Sequence, residues 1–285
     1  MAEKVGRALV LGGGGIAGIA WEAGLIAGLQ AAGTDLTTAD LFVGTSAGSV
    51  VSTFLSQGAD LEETIEGIAA DSDTAPTQAE EVDMNTVMET FAVLFDPSLD
   101  PQEARARVGR IALETRTAAN APARLTEIGR RLPSHEWPDR RLLITAVDAA
   151  DGAFVIWEKS SGVPLPLAVA SSCAVPTVFP PVEIGGRHYM DGGIRATTNA
   201  DLARGATAVV VFDPLAHLLP RTTLKREIAE LGGVPVVAIG PDQATVEVFG
   251  VNVMNPALWR PAFRAGQAQA ESVAPRVAEV WETSR

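Results

Sequence analysis

The sequence has 285 residues, of which 47% are hydrophobic and 20% are charged. A chain of this length buries about three quarters of its unfolded surface, so the composition predicts a compact globular protein and excludes a disordered or fibrous one. With 22 Lys and Arg residues against 35 Asp and Glu residues, the net charge of −13 repels phosphate backbones and argues against nucleic acid as a partner. The same charge weakens attraction to an anionic membrane, so only transient surface contact with lipid is expected.

The cysteine content and the N-terminal region predict a soluble cytoplasmic protein. Cys173 is the single cysteine of the sequence, which excludes an intrachain disulfide and a cysteine-based metal site, and we expect it to be a small buried residue. The apolar run from Ala8 to Leu29 does not resemble an export signal or a membrane span, because four glycines and Glu22 interrupt it.

Strands and helices alternate through the first sixty residues. Arg7 to Leu11 has the length and hydrophobicity of a buried strand, and after four glycines a helix is predicted from about Ile16 to Ala32. A second apolar run, Leu41 to Val43, leads through Gly-Thr-Ser-Ala-Gly into a helix predicted to end near Gln57. The pattern of strand, glycine turn and helix therefore occurs twice.

The segment from about residue 60 to residue 132 is predicted to be a helical insertion. It begins with a short helix over 59–71, followed by a polar surface loop from Asp71 to Asp83. The apolar residues between Met84 and Phe95 recur at helical spacing, and Asp100 followed by Pro101 predicts the start of another helix.

Strand signals return in the second half of the chain. They lie at Arg141–Val147, Ala153–Trp157, the hairpin Val182–Tyr189, Ala208–Phe212 and Val234–Ile239, and a C-terminal helix is predicted from about 258 to 283. Short apolar strands between longer helices predict a mostly parallel sheet covered on both faces, and no linker divides the chain. The sequence thus predicts a single α/β domain over residues 1–285.

Two glycine motifs point to chemistry at the ends of the first two strands. Gly13 to Gly18 satisfies G-x-G-x-x-G, the dinucleotide-binding pattern, but the second strand lacks the acidic residue that would hold the ribose. Gly44-Thr45-Ser46-Ala47-Gly48 satisfies the nucleophile elbow pattern, in which a serine occupies a sharp turn between strand and helix. Ser46 is therefore a candidate nucleophile; the alternative is a glycine turn in which Ser46 only caps the helix.

A nucleophilic serine also needs a base. The three histidines, His135, His188 and His217, stand in no recognisable catalytic pattern, and a triad of serine, acid and histidine would require His217. The turn Asp191-Gly192-Gly193 offers another base, because an aspartate in a glycine-walled turn can approach a serine closely. By itself such a sequence is more often a plain turn.

Taken in order, these residues resemble the patatin-like phospholipases. The resemblance rests on the glycine run Gly12–Gly18, on Gly44–Gly48, on Asp191–Gly193, and on the block Ala170–Pro181 that leads to the aspartate. It spans about residues 7–213. It implies a three-layer α/β/α fold, a dyad of serine and aspartate without histidine, and hydrolysis of lipid acyl esters without a metal or other cofactor.

The resemblance also implies roles for individual residues. Ser46 would be the nucleophile, Asp191 its general base, and the N–H groups of Gly13, Gly14 and Gly15 the oxyanion hole; the remaining motif glycines are Gly18, Gly44, Gly48, Gly192 and Gly193. Ala17 stands where the family usually has Lys or Arg. That departure puts a preference for anionic head groups in doubt and leaves neutral esters and acylglycerols open.

The sequence predicts a serine acyl hydrolase that acts on lipid or small acyl esters. The helical stripe that includes Met84, Val87, Met88 and Phe91 would line an acyl pocket or form a lid, with plain core as the alternative. Two other functions stay open: a non-catalytic lipid-binding or regulatory protein on the same fold, and a nucleotide-dependent enzyme that uses the glycine loop.

Overall fold

The computed structural model describes residues 6–74, 84–115 and 127–282, and its centre is an eight-stranded sheet. The strands are β1 (Arg7–Leu11), β2 (Leu41–Gly44), β3 (Arg141–Asp148), β4 (Phe154–Trp157), β5 (Val182–Ile184), β6 (Arg187–Asp191), β7 (Ala208–Phe212) and β8 (Val236–Ile239). The helices are α1 (Gly15–Ala31), α2 (Ala47–Ser56), α3 (Leu61–Thr74), α4 (Met84–Ala92), α5 (Pro101–Glu114), α6 (Leu165–Ser172), α7 (Thr222–Ala229), α8 (Gln243–Phe249) and α9 (Trp259–Glu282).

The centre of the sheet is parallel and one edge is antiparallel. The strand order is β5-β6-β3-β2-β1-β7-β8, with β4 also paired to β3. The neighbouring strands β3-β2, β2-β1, β1-β7 and β7-β8 are parallel. The pairs β3-β4, β3-β6 and β5-β6 are antiparallel. The mostly parallel sheet and the β5-β6 hairpin are therefore confirmed.

Helices cover both faces of the sheet because its central strands are apolar on both sides. On β1, Leu9 and Leu11 face the larger core formed with α1, α2, α3 and α9, whereas Ala8 and Val10 face the core formed with α7. The α1 and α9 backbones pack closely, since a Cβ placed at Gly24 would lie 2.0 Å from Phe263 O. The structure has the three layers that were predicted.

Most predicted element ends agree with the structure to within a few residues. Helix α5 starts at Pro101, and the Asp100 carboxylate accepts the N–H of Gln102 as its cap. The loop predicted from Asp71 is wrong for its first residues, because α3 continues to Thr74. Two acids in this last part of α3 form ion pairs, Asp71 with Arg130 and Asp73 with Arg260. The rest of that predicted loop lies outside the described residues.

The described part of the predicted helical insertion, which includes α3, α4 and α5, contains no strand. None of the helices that the structure describes has the length and apolarity needed to cross a bilayer. The single-domain organisation stays a prediction.

Candidate active site

Ser46 sits at a strained turn between β2 and α2. Its φ of 52° and ψ of −116° are unusual for a residue with a side chain, and its exposed fraction is 8%. The Ser46 N–H donates to Ser172 Oγ at 2.9 Å, and the Ser46 carbonyl accepts from the N–H of Ser49 and from Cys173 Sγ, 3.3 Å away. Cys173 is buried, as predicted. The surrounding contacts therefore hold the serine backbone in this conformation.

The two elbow glycines are required by close backbone approach. A Cβ at Gly48 would lie 2.0 Å from Leu11 O, and a Cβ at Gly44 would lie 2.3 Å from Ser52 Oγ. Both distances are shorter than any real contact, so side chains at these positions would displace α2 from β1 and β2. The G-x-S-x-G pattern thus has a steric cause in this fold.

The glycine loop after β1 lies against the serine. A Cβ at Gly13 would be 3.5 Å from Ser46 Cβ, and the Gly12 carbonyl accepts the N–H of Gly48 at 2.9 Å. The Gly13 N–H donates to Thr197 O at 2.8 Å, so it is occupied in this structure. Within the described residues, the N–H groups of Gly14 and Gly15 have no acceptor. Two of the three predicted oxyanion donors are therefore available at the start of α1.

Asp191 is brought towards the elbow by strand β3. On β3, Ile144 pairs with Gly44 at the end of β2, and Ala146, two residues further along, pairs with Asp191 at the end of β6. Asp191 is 4% exposed, and its Oδ1 accepts the N–H of Gly193 at 2.7 Å. A Cβ at Gly193 would lie 4.0 Å from Thr45 Cγ2, which places the aspartate turn beside the elbow.

A buried polar network that the sequence analysis missed joins the aspartate turn to the elbow. Asn199 Nδ2 donates to Thr45 Oγ1 at 3.0 Å in the elbow, to Gly192 O at 3.4 Å in the aspartate turn and to Ala196 O at 2.8 Å. Thr45 Oγ1 also lies 2.9 Å from Thr145 Oγ1. Arg195 donates to Asn199 Oδ1 and pairs with Asp201. The sequence contained one signal of this network: Thr145 lies between apolar residues in the middle of β3, and a buried hydroxyl needs a hydrogen-bond partner.

None of the three histidines has a hydrogen bond to Ser46 in the described part of the chain. His188 is exposed on β6, and the Nε2 of His135 lies 2.8 Å from Gly129 O. The His217 ring packs edge-on against Phe249 with ring centres 5.9 Å apart, and burial lowers the pKa of the His217 imidazole.

In the described residues, no group of three or more His, Cys, Asp or Glu side chains could hold a metal ion.

The apolar stripe of α4 is neither fully buried core nor part of a described cleft. Val87 and Phe91 are half-buried and Met88 is 60% exposed, while the Met84 side chain is not described. Phe91 packs against the cluster that contains Met190 and Ile194, on either side of the Asp191 turn. Two surface clefts, one lined by Leu55 and Leu61 and the other by Ala238 and Gln269, contain no residue of this stripe, and the pocket role of the stripe stays a prediction.

The family model of the patatin-like phospholipases matches residues 9–204. Comparison with curated protein sequences gives no match.

Solved structures give distant similarities. VipD from Legionella pneumophila aligns over 96% of this chain and 67% of its own, with 13% identity and a TM-score of 0.49. The type III effector protein ExoU aligns over 96% of this chain and 53% of its own, with 14% identity and a TM-score of 0.39. This chain therefore spans about half the length of ExoU. The matched residues 9–204 make up more than half of the chain and include its glycine loop, elbow and aspartate turn: the chain belongs to the patatin-like phospholipase family.

Proposed function

We propose that this protein is a serine acyl hydrolase that cleaves lipid acyl esters with a dyad of Ser46 and Asp191. The observation that carries the proposal is the position of Ser46, strained at the start of α2, against the glycine loop and beside the aspartate turn. A serine held at such a turn presents its Oγ away from the backbone, where an ester carbonyl can reach it.

The proposed reaction has two stages. Asp191 accepts the proton of Ser46 as Oγ attacks the ester carbonyl, and the negative oxygen of the tetrahedral intermediate accepts the N–H groups of Gly14 and Gly15. The protonated Asp191 then gives this proton to the leaving alcohol oxygen, which leaves an acyl group on Ser46 and an ionised Asp191. In the second stage Asp191 takes a proton from water as the water attacks the acyl carbonyl, and it returns that proton to Ser46 Oγ as the acid is released.

Contacts within the chain favour this use of the glycine loop over a nucleotide site. A Cβ at Gly14 would lie 2.5 Å from Pro214 Cβ, and one at Gly15 would lie 2.7 Å from Met254 Sδ. The loop glycines are thus needed for packing against the segments that follow β7 and α8. Their presence does not require a phosphate ligand.

A fluorophosphonate probe tests the proposal directly, because it reacts with an activated serine and leaves a covalent mark. We expect labelling of the full chain at Ser46, identified by peptide mass spectrometry, together with hydrolysis of a short-chain p-nitrophenyl ester. A folded protein that neither takes the label nor cleaves the ester would instead support the non-catalytic lipid-binding alternative. Labelling at a different serine would contradict the nucleophile assignment.

Asn199→Asp should lower kcat by roughly 10²-fold with little change in KM. The replacement turns the Nδ2 donor, which serves Thr45 Oγ1 and Gly192 O, into an acceptor and so separates the aspartate turn from the elbow. Asn255→Asp is the matched control, because in the described part of the chain the Asn255 side chain forms one hydrogen bond, in which its Oδ1 accepts the N–H of Ala257. Steady-state kinetics checks the result, and a folded Asn199→Asp variant with normal kcat would contradict it.

A further inference from the structure

Glu22 is a fully buried acid in the middle of α1, at a position where the apolar pattern of the sequence is interrupted. Its exposed fraction is 0%, and its Oε1 accepts the N–H of Gly12 at 2.9 Å. Side chains on a helix lean towards its N-terminus, which lets Glu22 reach back past the first turns to the end of β1. A carboxyl group in such a place needs a specific reason, because burying it is unfavourable.

Glu22 contacts Gly12, which connects the sheet, helix α2 and the glycine loop. The Gly12 N–H also donates to Phe212 O on β7, 3.0 Å away, and the Gly12 carbonyl accepts the N–H of Gly48 in α2. Gly12 therefore lies between the sheet, the elbow helix and the loop that carries Gly14 and Gly15. A shift of Gly12 would move the oxyanion donors relative to Ser46.

The surroundings of Glu22 favour a neutral carboxyl. Its Oε2 is buried without a hydrogen-bond partner among the described residues, as is Oδ1 of Asp213, the charged group that faces it from the segment after β7. Burial, and to a smaller extent the Asp213 charge, raises the pKa of Glu22 well above its usual value, although the hydrogen bond from the Gly12 N–H opposes this. Burial also raises the pKa of Asp213, although Arg221 opposes this.

Among the described residues, no positively charged side chain acts on the Glu22 carboxyl. Helix α9, which packs along α1, contributes Gln269, whose Oε1 accepts from Trp21 Nε1. His217 follows Asp213 on the same segment, and burial lowers the pKa of its imidazole, which favours the neutral ring.

We propose that Glu22 is a positioning residue of the hydrolase, which in its protonated form holds Gly12 so that the N–H groups of Gly14 and Gly15 face the oxyanion formed at Ser46. This inference rests on the proposed function. The proton sits on Oε2, so that Oε1 remains the acceptor for Gly12 and no net charge lies beneath the site.

The proposal has a defined pH dependence. When the pH rises through the raised pKa of Glu22, the carboxyl ionises and adds a buried negative charge next to Gly12, at the start of the loop that carries Gly14 and Gly15. The activity is then lost on the alkaline side. Loss on the acidic side has a separate cause, since Asp191 must be ionised to act as the base.

Two variants of the full-length chain test the role of Glu22. Glu22→Gln keeps an acceptor for Gly12 and cannot ionise, so its kcat at neutral pH should stay within about threefold of the wild type while the alkaline loss of activity disappears. Glu22→Leu removes the acceptor, and its kcat should fall by roughly 10² with KM little changed. The exposed Glu247→Gln serves as the control, and its pH profile should match the wild type.

Either of two results would overturn the proposal: a Glu22→Gln profile that keeps the alkaline limb of the wild type, or a folded Glu22→Leu variant with normal kcat. If Glu22→Leu does not fold, the pH profile of Glu22→Gln decides alone.

A measurement without substrate separates this proposal from the proposed function. A carboxyl whose pKa is raised on folding stabilises the folded state only while protonated, so wild-type stability should fall relative to Glu22→Gln as the pH rises from the usual pKa of a glutamate towards the raised value. The Tm difference between the two proteins should therefore grow as the pH rises between these two values. A constant difference would contradict the role of Glu22 whether or not Ser46 is a nucleophile, whereas an active Ser46→Ala variant would contradict only the hydrolase mechanism.

Discussion

Replacing Ser46 with alanine is expected to abolish ester hydrolysis, with kcat reduced on the order of 10⁴-fold or more and the fold retained. The substitution removes the proposed nucleophile, and loss of a nucleophile leaves only the contributions of binding and of the oxyanion hole. The Ser46 backbone contacts, its N–H to Ser172 Oγ and its carbonyl to Ser49 N–H and Cys173 Sγ, do not involve the deleted hydroxyl. Steady-state kinetics and fluorophosphonate labelling measure the effect.

Ser56→Ala is the matched control for this experiment. Ser56 ends the same helix α2, is also buried, and donates its hydroxyl to Thr53 O, so the variant removes one buried hydroxyl away from the elbow. It should keep normal kcat at a small loss of stability. A folded Ser46→Ala protein that retains more than about a tenth of wild-type kcat would exclude Ser46 as the nucleophile.

Asp191→Asn is expected to lower kcat by about 10³- to 10⁴-fold, nearly as much as Ser46→Ala. An amide cannot accept the serine proton, so the variant removes the proposed base. Its Oδ1 can still accept the N–H of Gly193, which preserves the turn. Asp35→Asn is the matched control, because Asp35 Oδ1 likewise accepts the N–H of the residue two positions ahead, Thr37, at another short helical turn. Its kcat should be normal.

The histidine variants decide between a dyad and a triad. In the proposed dyad, His217→Ala and His188→Ala should keep kcat within a few fold, because neither imidazole has a hydrogen bond to Ser46 in the described structure. In a triad, the imidazole would be the base and its loss would reduce kcat by several orders of magnitude. The dyad is ruled out if either folded variant is inactive while Asp191→Asn retains substantial activity.

The sequence by itself determined the local elements and the motifs at their ends. β1 spans Arg7–Leu11 as predicted, and α5 begins at Pro101 behind its Asp100 cap, since strand length and helix capping depend on a few adjacent residues. The glycines at 44 and 48 were also recognisable, because a sharp turn with close backbone packing restricts the residue type locally. These signals, together with their order along the chain, were enough to indicate the family.

Only the tertiary structure decided which groups of the site are available and how they are held. Asn199 and Thr45 are 154 residues apart in sequence, and they form a hydrogen bond because the fold brings the segment between β6 and β7 to the end of β2. The sequence does not distinguish the N–H groups of Gly13, Gly14 and Gly15, but in the structure the Gly13 N–H donates to Thr197 O. Glu22 looked like a break in an apolar run, yet its carboxyl contacts Gly12. Local sequence patterns do not specify such contacts, because a buried polar group is satisfied by whichever partner the packing of distant segments brings within reach.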